Sequence, residues 1–315
     1  MRGLQTPVRA IRRQVFTEVA KLGFKANAET LVADMEAIPY EIVGEDSEVK
    51  YRESIYRARA VVRERLRLAM GLSLRPENKP VHLTAGVEAS NISEKYYEPP
   101  LMQVIPSGCE SCEENKYEVS NMCKGCLAHP CQEVCPRGAI SMVNGKSFID
   151  QDKCIKCGKC KSVCPYDAIA KKERPCKKAC GVNAITSDKL GRAYIDADKC
   201  VSCGMCMVSC PFGAISDKSQ IFQLARALSE GEQIIAEIAP AFTGQFGDNI
   251  NARNLKAALE ELGFSQVYEV ALGADIGAVA EAHHYVEKVA TGELPFLLTS
   301  CCPCLLYTSP SPRDM

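Results

Sequence analysis

Two stretches decide how this chain is read: residues 154–165, CIKCGKCKSVCP, and residues 200–211, CVSCGMCMVSCP. Both follow C-x2-C-x2-C-x3-C-P, with Cys154, Cys157, Cys160 and Cys164 in one run and Cys200, Cys203, Cys206 and Cys210 in the other. A zinc tetrahedron usually closes over two separated CxxC pairs and has no need of such dense runs. Thiolates are soft ligands suited to iron–sulfur clusters. Three close ones can take three corners of a 4Fe–4S cube, while the fourth serves another cube. The 315-residue chain has 19 cysteines, most of them crowded between Cys109 and Cys210.

This is the run of bacterial ferredoxins, and a third copy precedes it. Residues 123–136, CKGCLAHPCQEVCP, hold Cys123, Cys126, Cys131 and Cys135, with two extra residues before the third cysteine. That form resembles the expanded motif of multi-cluster ferredoxin subunits. A half-motif, PCKKACGVNAI, carries Cys176 and Cys180 and matches PCQEVCPRGAI upstream, although Gly follows Cys180 where Pro follows Cys135. The steps from Cys135 to Cys154 and from Cys180 to Cys200 are nearly equal. The segment therefore reads as a duplicated ferredoxin unit, and two pairings follow. In one, Cys123, Cys126, Cys131 and Cys164 form a set, and Cys154, Cys157, Cys160 and Cys135 a second. Cys200, Cys203, Cys206 and Cys180 then form a third, and Cys176, Cys210, Cys109 and Cys112 a fourth. In the other, Cys154, Cys157 and Cys160 join Cys210, and Cys200, Cys203 and Cys206 join Cys164. Two to four 4Fe–4S clusters are expected, with four using every cysteine of the segment.

The flanks differ in kind. Residues 1–105 read as helical; in YRESIYRARAVVRERLRLAMGL, Ile55, Val62, Leu66 and Met70 recur near the helical period, leaving an arginine-rich side as a solvated or docking face. Pro99, Pro100 and Pro106 mark a linker into the cysteine-rich segment, 106–218. In residues 219–303, helices SQIFQLARALSEG, NARNLKAALEELGF and ADIGAVAEAHHYVEKVA alternate with apolar runs QIIAEIA, QVYEVAL and PFLLTS. That alternation predicts βαβ units and a parallel sheet with functional positions at strand C-termini. The fold class expected is mixed α+β: a helical N-terminal region, a duplicated ferredoxin-like segment, then the first part of an α/β domain.

Net charge is −1, which gives no reason to expect nucleic acid or an anionic membrane as a partner. The basic N-terminus is followed by no apolar core of a signal peptide, and no run approaches the ~18 apolar residues of a membrane span. A cytoplasmic protein is expected. Residues 123–218 have 16 Lys and Arg against 9 Asp and Glu, an excess that offsets anionic clusters or attracts an acidic electron carrier. His283 and His284 have no partner motif, His129 inside the expanded run reads as spacing or a hydrogen bond near the clusters, and no phosphate-binding glycine loop is present.

The stretch FLLTSCCP, residues 296–303, sits downstream of these runs and resembles the first signature of the FeFe hydrogenases. EIAPAF, LKAALEELGFSQVYEVALGADI and AEA are similar to the sequence leading into it, so the resemblance covers residues 106–303. It implies that Cys302 ligates the 4Fe–4S cube of the H-cluster and that Cys301 relays protons to the diiron subsite. The implied activity is reversible conversion of protons and electrons to H2 in an anaerobic setting, with a small redox carrier such as ferredoxin or flavodoxin as partner. The family's later signatures supply three further cysteines, which this sequence lacks; it also has Cys304 and Leu305 after Pro303 and no Trp. Residues 304–315, CLLYTSPSPRDM, resemble a translated sequencing-adapter read-through. The expectation is a fragment unable to complete an H-cluster alone, with an exposed apolar sheet edge. The alternatives are an H2 sensor, a non-catalytic hydrogenase-like assembly protein and a polyferredoxin-type subunit of a larger oxidoreductase.

Overall fold

A proline at its first position and apolar residues spaced by three and four make the first helix, Pro7–Lys25, whose Ile11, Val15, Val19 and Leu22 are buried. The computed structural model describes residues 6–25, 29–45, 52–91, 99–247, 249–297 and 299. They fall into two compact units, one spanning Val104–Ser216 and the other combining the residues before and after it. Among the described residues no helix is long and apolar enough to cross a membrane.

In the second unit, helices Leu31–Ile42 and Ile55–Ala69 pack with the first around Met35, Val62, Leu66 and Met70, each fully buried. The polar side of Ile55–Ala69 stays partly exposed at Arg57, Arg59 and Arg63 but is buried at Glu64, Arg65 and Arg67, so the expected solvated or docking face is corrected for the second half of the helix. Arg67 is buried, and donates to the carbonyls of Ser73 (2.9 Å), Leu83 (2.6 Å) and Ala85 (2.9 Å). The buried Glu64 accepts from Arg75 at 2.6 Å. Arg67 from the helix and Arg75 from the loop after it tie that loop down, and Arg67 satisfies carbonyls that would otherwise be buried unpaired.

Helix Ile221–Glu230 joins this core from far along the chain: Phe222 is buried among the N-terminal helices, and the buried Gln223 donates to the Met70 and Ser90 carbonyls at 3.1 and 3.0 Å. Gly23 allows the close approach. A Cβ there would lie 2.6 Å from the Ala225 Cβ and 2.7 Å from the Phe222 carbonyl oxygen. Gly23→Val is therefore expected to destabilise the protein by about 1–3 kcal/mol through overpacking, measured by chemical denaturation.

The same unit holds a parallel pair of strands, Ile235–Ile238 and Gln266–Glu269, linked through helix Ala252–Glu261. Asn251 and Asn254 cap that helix reciprocally, at 3.0 and 3.3 Å. Helix Val270–His284 follows; Leu272, Ile276 and Val279 are more than half exposed, and His283 and His284 are exposed. The third strand expected over PFLLTS does not form within its described residues, 295–297 and 299. The helix that would return it to the sheet buries none of its side chains, so it supplies no packed face to seat a third strand among the described residues.

The unit spanning Val104–Ser216 is one small fold nested within another. The inner module runs from strand Lys116–Val119 to strand Ile169–Lys172, antiparallel partners that enclose the hairpin Ile140–Val143/Lys146–Ile149. Its core joins Tyr117, Ile140, Ile149 and Ile169 to Cys131 and Cys160. The outer module repeats the design with hairpin Ile185–Ser187/Ala193–Ile195. One repeated bond marks the correspondence: Ser120 donates its N–H to the Ala168 carbonyl, and Ile105 to the Ala214 carbonyl, both at 2.7 Å. The outer module therefore begins before the inner one and resumes after it.

Candidate metal centres

Each cysteine run is shaped by left-handed residues at fixed places. In the four CxxC loops the residue before the second cysteine has positive φ: Ser111 at 47°, Gly125 at 60°, Lys156 at 59° and Ser202 at 56°. The reversal at that point curls each loop tightly between its two thiols. The pair Cys109/Cys112, weakest by sequence, thus shares its backbone form with the three plainer motifs.

The fourth cysteine of each run leads into an equally regular return, C-x2-[left-handed]-Ala-Ile. Gly138, Asp167, Asn183 and Gly213 carry φ of 55°, 48°, 52° and 59°, all residue types that tolerate this region. The next residue, a buried alanine, donates its N–H back to the sulfur. Ala139 bonds Cys135 at 3.3 Å, Ala168 bonds Cys164 at 3.4 Å, Ala184 bonds Cys180 at 3.3 Å and Ala214 bonds Cys210 at 3.4 Å. Each return thus supplies its own sulfur with a backbone hydrogen-bond donor. Cys180 keeps this bond although Gly replaces the usual following Pro.

Two cavities each gather four thiols. One is lined by Cys123, Cys126, Cys131 and Cys164, the other by Cys109, Cys112, Cys176 and Cys210. The match extends to single bonds: Ser147 donates its N–H to the Cys123 sulfur at 3.5 Å, and Ala193 to the Cys109 sulfur at 3.4 Å. Ser147 and Ala193 hold the same register in their hairpins, each two residues before the paired isoleucine. Cys109 therefore occupies in the outer module the place of Cys123 in the inner one. Cys164 and Cys210 lie in these cavities, beside the partners of the duplicated pairing.

Cys135, Cys154 and Cys160 pack about the inner core. Cys160 interacts electrostatically with Cys154 and Cys157, and Cys206 with Cys200 and Cys203. Cys180 follows helix Pro175–Lys178 as Cys135 follows Pro130–Glu133. All sixteen thiols are free of disulfides. Among the described residues no three His, Cys, Asp or Glu side chains form a single-ion site. Cys301 and Cys302 lie outside the described residues. His129, left-handed at φ 41°, precedes helix Pro130–Glu133.

Burial governs the electrostatics. It pushes the Cys176 thiol up to about 11, with Cys210 adding and Arg174 opposing, and the Cys206 thiol up to about 12, with Cys200 adding. Cys112 and Cys160 are raised for the same reason. Cys123 is lowered, because the N–H groups of Ser147 and Gly125 point at its sulfur. Ligation must strip the protons from the raised thiols, so loading these sites with iron releases protons.

The two thiols exposed among the described residues, Cys157 and Cys203, sit in contrasting loops. Around Cys157, Lys156, Lys159 and Lys161 are exposed and have no carboxylate partner among the described residues, while Lys153 lies 3.5 Å from Asp150. The loop at Cys203 has Val201, Ser202, Met205 and Met207 instead, and Lys199 pairs with Asp196 at 3.1 Å. Arg174 and Ser147, which also line the two cavities, escaped the sequence reading. The fourfold C-x3-A-I that marks the returns was visible in the sequence and would have aligned them.

Residues 232–308 match the family model for the iron only hydrogenase large subunit, C-terminal domain. Residues 153–214 match a 4Fe-4S dicluster domain, and residues 123–174 the LdpA Fe-S cluster-binding domain. An uncharacterized ferredoxin of Methanocaldococcus jannaschii is 37% identical over 65 residues, which is 21% of this chain and 39% of the relative. The Frd operon probable iron-sulfur subunit of Proteus vulgaris is 39% identical over 69 residues, 22% of this chain and 44% of the relative. Electron transport protein HydN of Escherichia coli is 41% identical over 56 residues, 18% of this chain and 32% of the relative. The chain spans less than half the length of each of these. It is an iron–sulfur protein with ferredoxin-type 4Fe–4S domains and a hydrogenase-like domain.

Proposed function

We propose that this chain is the electron-transfer part of an FeFe-hydrogenase-type oxidoreductase and holds four 4Fe–4S clusters. Cys123, Cys126, Cys131 and Cys164 hold one, and Cys135, Cys154, Cys157 and Cys160 the second. Cys180, Cys200, Cys203 and Cys206 hold the third, and Cys109, Cys112, Cys176 and Cys210 the fourth. The observation that carries this reading is the outer cavity, whose four thiols come from both sides of the inner module yet match those of the inner cavity, with a backbone N–H on the first and the last sulfur of each set. The donor set fits the group: four soft thiolates per site, partly shielded from water, with backbone N–H groups aimed at sulfur. A bound 4Fe–4S cluster supplies one-electron storage and transfer.

The chain's own residues set where electrons arrive. Exposed Cys157 brings the second site to the surface, and the unpaired Lys156, Lys159 and Lys161 favour an acidic redox carrier by charge complementarity. The electron-transport proteins among the relatives support the same reading. Reversing Lys156 and Lys159 to Glu is expected to slow reduction by an acidic ferredoxin about tenfold at low ionic strength, in stopped-flow bleaching of the cluster absorbance. An unchanged rate would remove this loop as the docking point.

Cys302 is assigned as a ligand of the H-cluster cube and Cys301 as the proton-relay thiol, supported by the hydrogenase family match over residues 232–308. With this chain fused to the C-terminal part of a hydrogenase large subunit, Cys302→Ala is expected to abolish H2 production. Cys301→Ala should lower it about 10²–10⁴-fold, the usual range for a positioned proton donor. A fused wild type that exchanges electrons but makes no H2 would favour a polyferredoxin-type subunit instead.

A further inference from the structure

Arg174 is 4% exposed and lies in the wall of the cavity shared by Cys109, Cys112, Cys176 and Cys210. Its guanidinium is spent on backbone carbonyls. Nε and Nη2 donate to the Cys112 oxygen at 3.2 and 3.1 Å, Nη2 also to Gly191 at 2.7 Å, and Nη1 to Thr186 at 3.3 Å. Cys112 precedes the inner module, whereas Thr186 and Gly191 follow it in the outer hairpin and its turn. One side chain thus fastens the CxxC loop of the outer module to the half of that module from which the inner one separates it.

The nearby Glu114 makes the same crossing, pairing with Lys177 and accepting from the Ser187 hydroxyl at 3.1 Å. Unlike Glu114, Arg174 also brings a positive charge to the thiols, because its bonds are to neutral carbonyls. The corresponding residue of the inner module, two before Cys131 as Arg174 is two before Cys176, is His129, which is only partly buried and is not among the residues lining the inner cavity. The two cavities therefore agree in their thiols and differ in the charge beside them.

We propose that Arg174 is the positioning residue of the fourth site: it holds Cys112 in register with Cys176 and Cys210 across the inserted module, and its charge raises the reduction potential of the group bound there. The proposal rests on the four-cluster reading. A fixed cation near an anionic centre stabilises the added electron, and lost outer-shell hydrogen bonds commonly weaken metal sites about 10–100-fold.

The test compares the full chain, reconstituted without oxygen, with Arg174→Gln, Arg174→Lys and Cys176→Ala. It follows iron release to a chelator and the potential of each EPR signal. Arg174→Gln is expected to release about four irons per chain some tenfold faster than wild type and to lower the potential of the one signal that Cys176→Ala removes. Arg174→Lys keeps the charge but not the fork of bonds, so it should restore most of the potential while still releasing iron quickly. The two signals of the inner module, unchanged in every variant, report that the fold is intact. If Arg174→Gln loses all iron, the same two readouts on Arg174→Lys decide. Wild-type release and wild-type potentials in the substituted chains would overturn the proposal. A wild type with about twelve irons and no signal sensitive to Cys176→Ala would instead overturn the four-cluster reading, and the role of Arg174 with it.

Discussion

Excising residues 116–172 should leave a chain that still folds and loads about eight irons in place of about sixteen. The ends of the excised piece are neighbours: Lys116 and Lys172 face each other across an antiparallel pair, where Cα atoms stand about 5 Å apart. A short Gly-Ser link from Asn115 to Glu173 closes the gap. The piece takes its core with it, since Tyr117, Cys131, Ile140, Ile149, Cys160 and Ile169 all fall inside it. What remains keeps Cys109, Cys112, Cys176, Cys180 and the run from Cys200 to Cys210, together with Arg174 and the Glu114–Lys177 pair. Lys116 and Lys172 both pair with Glu118 at the surface, where solvent screening leaves such contacts little weight. Iron content and EPR of the shortened chain check the result. A product that binds about four irons or none would mean the outer module is not a ferredoxin in its own right.

Replacing Cys109 and Cys112 together by Ala should remove about four irons and one EPR signal, with the other signals unaltered. No other test weighs so directly on the pair that sequence supported least. Cys112 is held by two bonds from Arg174, and the Cys109 sulfur accepts from Ala193, so neither is a casual surface thiol. Alanine removes two of four ligands at one site and leaves the bound group without half its bonds to the protein. Full iron content in the double variant would return the pair to bystanders and leave Cys176 and Cys210 in need of other partners.

Much of this arrangement was legible in the residues. The two dense runs gave the cluster chemistry, and the near-equal steps from Cys135 to Cys154 and from Cys180 to Cys200 gave the duplication. The alternation after residue 219 anticipated the parallel pair Ile235–Ile238 and Gln266–Glu269. The nesting was harder to see, because an inserted module leaves no mark of its own where it interrupts another. Cys112 and Cys176 are far apart in sequence, and it takes the pairing of Lys116 with Lys172 and the bonds from Arg174 to Cys112 to show that the chain returns to where it left. Helix Ile221–Glu230 read correctly as a helix, but the pattern of Phe222 and Ala225 says only that one face is apolar, not which core receives it. The arginine-rich helix misled for a related reason. Charge at the helical period suggests solvent, yet Arg67 is buried with a loop's carbonyls as partners, and those lie in residues without a periodic signal.

The central claim is that sixteen cysteines form four 4Fe–4S sites by a nested duplication, and iron per chain in the wild type tests it most directly. Residues 1–303, reconstituted anaerobically with iron and sulfide, should bind about sixteen irons and, when reduced, show the EPR signals of four 4Fe–4S clusters. About eight irons, carried by the two dense runs alone, would contradict it.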